Sequence, residues 1–448
     1  MSAIAERRPA GRLNPDNTAL QRLEAGIRVA GLDPEALIAA HGSPLFVYDL
    51  DALTARVDAL RAALPSAVDL AFAVKANPSL AVLAHLARLG VGADVASGGE
   101  LEAVVRAGIP VDRIVFTGPG KTDAELGRAL RLGIRALTIE SLEELDVVID
   151  LAELARPNQG LLLRLAIEGS SEVRAIIGGA GAAKFGLLPD EVDQAIDRLH
   201  RAGAIGGPSA SFRLQGLHAF GASNVLDASA ITRGVQRLAT RAEEVGRRHG
   251  LPIALLDGGG GLGIPYRDDQ PELDLAELGT GLGRELATWQ ERGPLAAARL
   301  LLEPGRFLAG PIGAFVVRVV RAKPRFGRAI AIVDGGIHHL LRPTLIGEAH
   351  RMVAVGANAA RGPAGPVDVV GPLCTGLDVL ATDVALPDPR SGDLLAILDA
   401  GAYGFTESMP YFLSHPQPAE VVVSGGEAHL ARPRLEPGEW LDRQSPGT

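Results

Sequence analysis

A (β/α)8 barrel joined to a second, all-β domain is the fold that this sequence predicts, and three observations predict it. Between about residue 69 and residue 305, eight short runs rich in leucine and β-branched residues alternate with amphipathic segments of helical period. Polar residues of unusual chemistry stand at or near the C-terminal ends of those runs. After Arg306 the texture changes to β-rich, punctuated by glycine and proline.

The runs are "DLAFAVKA", "GADVAS", "DRIVFTGP", "ALTIES", "GLLLRLAI", "LQGLHAF", "IALLDGG" and "ARLLLEPG", most of them followed by a turn and a pattern such as "LAVLAHLARLG" or "LEAVVRAG". Eight βα units in roughly 250 residues is the arithmetic of a closed barrel. An open doubly wound sheet is the rival. Lys75, Asp94, Glu140, Arg164, His218, the glycines after Asp257 and Glu303 decide between them, because a barrel gathers strand ends around one mouth whereas an open sheet spreads them along an edge.

The barrel is assigned to residues 52–305 and the β domain to 21–51 together with 306–440. In the latter, "GAFVVRVVRAK", "AIAIVDGG", "VDVVGPLC", "DLLAILDAGAYG" and "AEVVVSGG" are spaced as antiparallel strands. "SPLFVYDLDAL" reads as a strand entering a helix near Asp51, and it is expected to pair with this domain. Residues 1–20 and 441–448 read as mobile tails.

Composition narrows the function. A net charge of −9 argues against a general nucleic-acid binder, which needs a basic surface to displace counterions. One cysteine excludes an intramolecular disulfide framework, and no stretch reaches the length of an apolar membrane span, so a cytoplasmic protein with a small-molecule partner is expected. The histidines show neither helix-spaced pairs nor a nearby cysteine cluster, so no metal is expected.

Three stretches carry the chemistry. Lys75 of "FAVKAN" ends an apolar run, where an unpaired charged amine costs several kcal/mol, so it must be neutral, paired or covalently used. Desolvation turns such an amine into a nucleophile for carbonyls, although a salt-bridged lysine at a barrel rim is the simpler alternative. "LDGGGGLGIPY" places Gly258 to Gly261 directly after the seventh run, and the loops after strands seven and eight are where barrels bind phosphate. "EPGR" after the eighth run places Glu303 where its carboxylate would keep an adjacent pyridine nitrogen protonated through a charge-assisted hydrogen bond, and Arg306 to bind a phosphate or carboxylate, with an ion pair between the two as the alternative.

"FAVKAN", "GADVASGGELEAVVRAG", "KFGL", "LDGGGGLGIPY", "EPGRFLAG", "GPLC", "GDLLAILDAGAYGF" and "PAEVVV", in order from about residue 45 to 423, resemble the pyridoxal-phosphate (PLP) decarboxylases of the diaminopimelate and ornithine type, the fold-type III or alanine-racemase-like class. The resemblance implies that Lys75 holds PLP as a Schiff base, with Asp94 near the lysine. It implies that Gly259, Gly260, Gly261, Ser223 and Tyr403 hold the phosphate, and that Glu303 meets the pyridine nitrogen where racemases place an arginine. Arg306 would meet phosphate or a substrate carboxylate. Arg164, His218 and Phe220 complete the cofactor-side set, and Lys75, His218 and Cys374 the catalytic one. Cys374 and Tyr403 would reach the other subunit's site, making a homodimer with shared active sites. Arg306, Arg342, Thr375, Asp378 and His338 are the expected substrate contacts.

The pattern also departs from these enzymes. "CTGLD" has neutral Thr375 where diaminopimelate and ornithine enzymes carry an acid, and "RPTLIG" shows Ile346 where diaminopimelate enzymes usually have tyrosine. Phe220 stands where relatives stack a histidine on the cofactor ring. "GGIHHLL" reads as a strand whose adjacent histidines point to opposite faces, so that one of them, His338, faces the substrate entrance; a solvated pair is the alternative. The expected function is a PLP-dependent amino-acid decarboxylase acting on a substrate other than meso-diaminopimelate. The alternatives are a decarboxylase of carrier-tethered or conjugated amino acids and, in another class, a catalytically inactive regulatory homologue.

Overall fold

The computed structural model describes residues 19–23, 26–166, 184–207, 210–347, 350–361 and 364–446. Two compact units divide the chain: a barrel unit of residues 59–263 and 273–305, and a β unit of residues up to 58, 264–272 and from 306 onward. The division departs from the expected limits in two places. It falls within the helix Leu50–Ala63, and Ile264–Glu272 belongs to the β unit, where Tyr266 is buried, bonded to Arg306 and edge-on to His350.

The eight runs form parallel strands β1 (Val68–Ala73), β2 (Gly92–Val95), β3 (Ile114–Phe116), β4 (Ala136–Ile139), β5 (Gln159–Arg164), β6 (Phe212–His218), β7 (Leu255–Asp257) and β8 (Arg299–Leu302), closed by pairing of β8 with β1. Their core includes a cluster of Ala71, Val115, Ala136, Leu162, Leu255 and Leu301. Short polar side chains start the intervening helices: Ser97 accepts from Glu100 N, Thr122 forms a capping box with Glu125, and Ser141 accepts from Glu144 N. Register sets the polar residues level. Asp94 lies opposite Ala73, and His218 lies opposite both Arg164 and Asp257.

In the β unit, Leu45–Asp49 sits between Gly313–Arg325, to which it is antiparallel, and Ala419–Ser424, to which it is parallel. Arg328–Val333 and Gly365–Val370 also pair in parallel, so the expectation of a wholly antiparallel sheet is corrected at two places. Leu45, Val47, Ala314, Val316, Ala396 and Val421 contribute to its core. Of the opening segment expected as a tail, residues 1–18 lie outside the described residues, while Ala19 is buried and Leu20 begins a strand paired with Gly26–Val29. The closing segment starts inside a helical turn, Pro437–Leu441. No helix among the described residues is long and apolar enough to cross a membrane.

The reading of "GGIHHLL" as a strand is overturned. Gly336 O accepts from both His339 N and Leu340 N, which makes a turn, and His338 and His339 are both fully buried rather than split between two faces or solvated. Their ring centroids stand 3.7 Å apart, with the His415 ring 4.9 Å from His338. Burial first, then the neighbouring imidazole, pushes His338 down to about 3 and His339 well below the usual histidine range. His350, whose Nδ1 donates to Leu398 O at 2.8 Å, is pushed by burial to about 4. A histidine depressed in the folded state costs stability in acid, because below pH 6.5 the unfolded chain takes up a proton that the folded chain refuses. For His350 the loss grows as pH falls from 6.5 to about 4 and reaches roughly 3 kcal/mol. His350→Gln is expected to flatten the stability profile across that window, measured by urea denaturation at each pH, and a slope as steep as that of the unaltered protein would sink this assignment.

Candidate active site

In the barrel unit, Lys75 lies in the single 3-10 turn Val74–Ala76 that follows β1, not on the strand itself. Its side chain is 38% exposed rather than interior, and its Nζ donates to Asp94 Oδ2 at 3.0 Å. Asp94 is buried, and its other oxygen accepts from Thr117 Oγ1 at 2.7 Å. The amine is thus held at the mouth by an oriented carboxylate. Further round, Glu140 accepts from Gly118 N and from Arg164 Nη1, both at 2.7 Å, and the Arg164 guanidinium lies 4.6 Å from the Phe185 ring centroid. Lys121, with its side chain fully buried, pairs with Glu144, which in turn accepts from Glu140 N.

The glycine run closes tightly on its neighbours. A Cβ at Gly259 would stand 2.9 Å from Ala219 O and 3.1 Å from Phe220 Cδ2, one at Gly260 would stand 2.7 Å from Glu303 O, and one at Gly261 would strike Ala222 O. Gly259 and Gly261 also adopt φ of +67° and +102°, which glycine reaches without strain. Val225 N donates to Gly261 O and Gly263 N to Val225 O, so the loop that carries Ser223 is zipped to the glycines. Gly259 N donates to Asp257 Oδ1 at 2.9 Å, while the amides of Gly260 and Gly261 have no partner among the described residues.

Behind this loop His218 and Glu303, both marked in the sequence, meet Asp257, a grouping that nothing local in the sequence announces. Candidate ligand atoms of His218, Asp257 and Glu303, all buried, fall within 4.8 Å of one another, a spacing that metal sites share. His218 Nε2 is 3.7 Å from Glu303 Oε1, neither ring nitrogen has a hydrogen-bond partner among the described residues, and the Asp257 and Glu303 side chains are near enough to hydrogen-bond to each other through a retained proton. Burial first, then the charges of Asp257 and Asp94, pushes Glu303 well above the usual carboxylate range; burial, with a contribution from Asp94, pushes Asp257 up to about 7. Burial, reinforced by the charges of Arg164, Lys75 and Lys121, holds His218 well below its usual range and keeps it neutral.

The remaining candidates lie in the β unit. Tyr403, at φ +53°, has Arg306 on its ring with the guanidinium carbon 4.8 Å from the centroid, and Arg342 likewise at 4.8 Å. Arg306 Nη1 donates to Tyr266 Oη at 2.7 Å, and Arg342 Nη1 pairs with Glu407 Oε2 at 3.1 Å. Cys374 is exposed. Thr375 Oγ1 accepts from Leu377 N at 3.2 Å. Asp378, expected to contact substrate, is 3% exposed, and its oxygens accept from Ile337 N and Leu373 N. It holds two backbone segments together. Sequence reasoning missed Thr117, Tyr266, Glu407 and the pairing of Asp257 with Glu303; Tyr266 ends the "GGGGLGIPY" stretch and was open to notice, whereas the others depend on long-range contacts.

These residues fit PLP. The unpartnered amides of Gly260 and Gly261 are donors for a phosphate, in a cradle any larger residue would fill. Glu303 Oε1 is a buried acceptor that a protonated ring nitrogen would satisfy, and such a cation would relieve the two raised carboxyls. Lys75 is the amine presented at the same end of the barrel.

The chain is similar to known proteins over nearly its whole length. Residues 50–310 match the family model described as pyridoxal-dependent decarboxylase, pyridoxal binding domain. A diaminopimelate decarboxylase of Zymomonas mobilis is 35% identical, over 89% of this chain and 91% of that one. The L-glutamyl-[BtrI acyl-carrier protein] decarboxylase of Niallia circulans is 30% identical, over 89% and 92%. The crystal structure of diaminopimelate decarboxylase from M. jannaschii in complex with L-lysine superposes with a TM-score of 0.87 at 25% identity, over 96% of this chain and 98% of that one. With the expected barrel and sheet domain both present, the chain belongs to the PLP-dependent decarboxylases of fold-type III.

Proposed function

We propose that the protein releases CO2 from an amino acid other than meso-diaminopimelate, with Lys75 holding PLP and Glu303 facing the ring nitrogen. Bound PLP supplies the electron sink that lets the bond between Cα and the carboxylate break. Asp94 orients the lysine, and Gly260, Gly261 and Ser223 receive the phosphate. Neutral His218 fills the space beside Glu303 without neutralising it, so that Glu303 remains available to a protonated ring. Arg306 and Tyr403 contribute to the phosphate or substrate carboxylate, and Arg342 to the substrate. Cys374 delivers the proton to Cα, working across a homodimer in which Cys374 and Tyr403 enter the partner's site.

The observation that carries the substrate reading is Thr375. The position that bears an acid in diaminopimelate and ornithine enzymes is a neutral hydroxyl here, and the nearby Asp378 is engaged with backbone amides. Leaving a distal ammonium without its partner costs about 2–5 kcal/mol. A second reading, an aminoacyl group tethered to a carrier, is supported by the 30% identical relative named for such a substrate.

Lys75→Ala is expected to lose both the visible absorption of bound cofactor and CO2 release, and mixing it with Cys374→Ala chains is expected to restore part of the activity through hybrid dimers. Retained absorption in the first variant, or no rescue in the mixture, would count against the lysine and the shared sites respectively. Glu303→Gln is expected to keep the cofactor while kcat falls on the order of 100-fold, and an unaltered kcat removes the glutamate from the chemistry. A panel of free amino acids and aminoacyl-pantetheine conjugates, read by CO2 release, is expected to show turnover of a neutral or conjugated substrate. Turnover of meso-diaminopimelate at an ordinary rate of about 1 s⁻¹ or more would overturn the argument from Thr375.

A further inference from the structure

The opposite end of the barrel strands has chemistry of its own. There a cavity of about 540 Å³ is lined by Arg61, Arg113, Arg135, Arg299, Asp69 and Asp112 among others. Part of this group is structural: Arg135 and Arg299 both bind Asp69, tying the starts of β1, β4 and β8 together. Arg61 Nη1 donates to Leu89 O at 2.7 Å and Arg113 Nη1 to Gly90 O at 2.9 Å, finishing the C-terminal turn of the helix Leu80–Arg88. Arg113 is kept close by glycine, since a Cβ at Gly90 would stand 2.9 Å from its Nη1 and one at Gly92 would strike its carbonyl oxygen.

These bonds leave most of the donors unused. A guanidinium offers five N–H groups, and Arg61, Arg113 and Arg135 each direct one nitrogen to a partner among the described residues. Four arginines against two aspartates leave the cavity with two positive charges in a protein of net charge −9. A void of this size is ample for a small metabolite, and forked guanidinium donors suit phosphate and carboxylate oxygens. We propose that this cavity binds a small polyanion, a phosphorylated or polycarboxylic metabolite, at the pole of the barrel away from Lys75.

The test uses the full-length protein saturated with PLP, so that the glycine loop is already filled. Isothermal titration with inorganic pyrophosphate and, separately, with citrate is expected to give saturable binding of at least one probe, weakening as salt is raised. Binding of pyrophosphate alone assigns the site to phosphorylated ligands, and of citrate alone to polycarboxylates. Arg61→Ala with Arg113→Ala is expected to raise Kd at least about tenfold, while Arg325→Ala, on the exposed hairpin of the β unit, leaves it unaltered. Arg61 and Arg113 are exposed, and unaltered cofactor absorption in the double variant confirms that the barrel is intact. No saturable binding of either probe, or binding that survives the double substitution, would overturn the proposal.

Discussion

The constraint on which the barrel end depends is the burial of two carboxyl groups, Asp257 and Glu303, beside a histidine whose hold on a second proton burial weakens. His218 is held neutral by burial and by three nearby cations, so it lends the acids no charge. Asp257 accepts from Gly259 N, and its side chain and that of Glu303 lie near enough to share a proton. A buried pair of this kind is stable with a retained proton or with a cation brought to it. On the PLP reading the protonated ring nitrogen is that cation. Binding energy and the electron-withdrawing power of the ring then have one source, the relief of Glu303.

The same strands carry opposite needs at their two ends. At the C-terminal ends, acids outnumber the cations that touch them: Lys75 with Asp94, Arg164 with Glu140, and none for Glu303 beyond neutral His218. At the N-terminal ends, guanidinium groups outnumber the carboxylates. The apolar layer of Ala71, Val115, Leu162 and Leu301 lies between them. Closing the strands into one cylinder is what sorts residues so distant in sequence into two polar ends.

That sorting explains what could be read from sequence. Barrel strands are buried on both faces and appear as apolar runs, so Lys75, Asp94, Arg164, His218 and Glu303 stand out at their ends. Pairing between residues distant in sequence is invisible in this way; nothing local links Asp257 to Glu303 at the ends of neighbouring barrel strands, or Tyr403 to Arg306 and Arg342 in the β unit. The β unit was less legible. Glu427–Arg432 is an exposed, charged edge strand, Met352–Val355 is four residues long, and Val379–Leu386 is interrupted by Asp383 at φ +57°. Period-two reasoning puts His338 and His339 on a strand, whereas the turn closed by Gly336 O, which accepts from His339 N and Leu340 N, takes them out of one.

The Cys374 loop shows how one short stretch separates holding a fold from choosing a substrate. Asp378 binds the amides of Ile337 and Leu373 from a buried position, and a neutral residue there would leave backbone donors poorly satisfied. Thr375 makes a smaller local bond, its hydroxyl accepting from Leu377 N. An aspartate at position 375 could cap the same amide, because side-chain oxygens of Asp, Asn, Ser and Thr all close this kind of turn. Charge at position 375 can therefore change without disturbing the loop, while Asp378 keeps its backbone in place. On the proposed reading, that separation is what allows a decarboxylase of this fold to exchange a diamino acid for a neutral or conjugated substrate without being rebuilt.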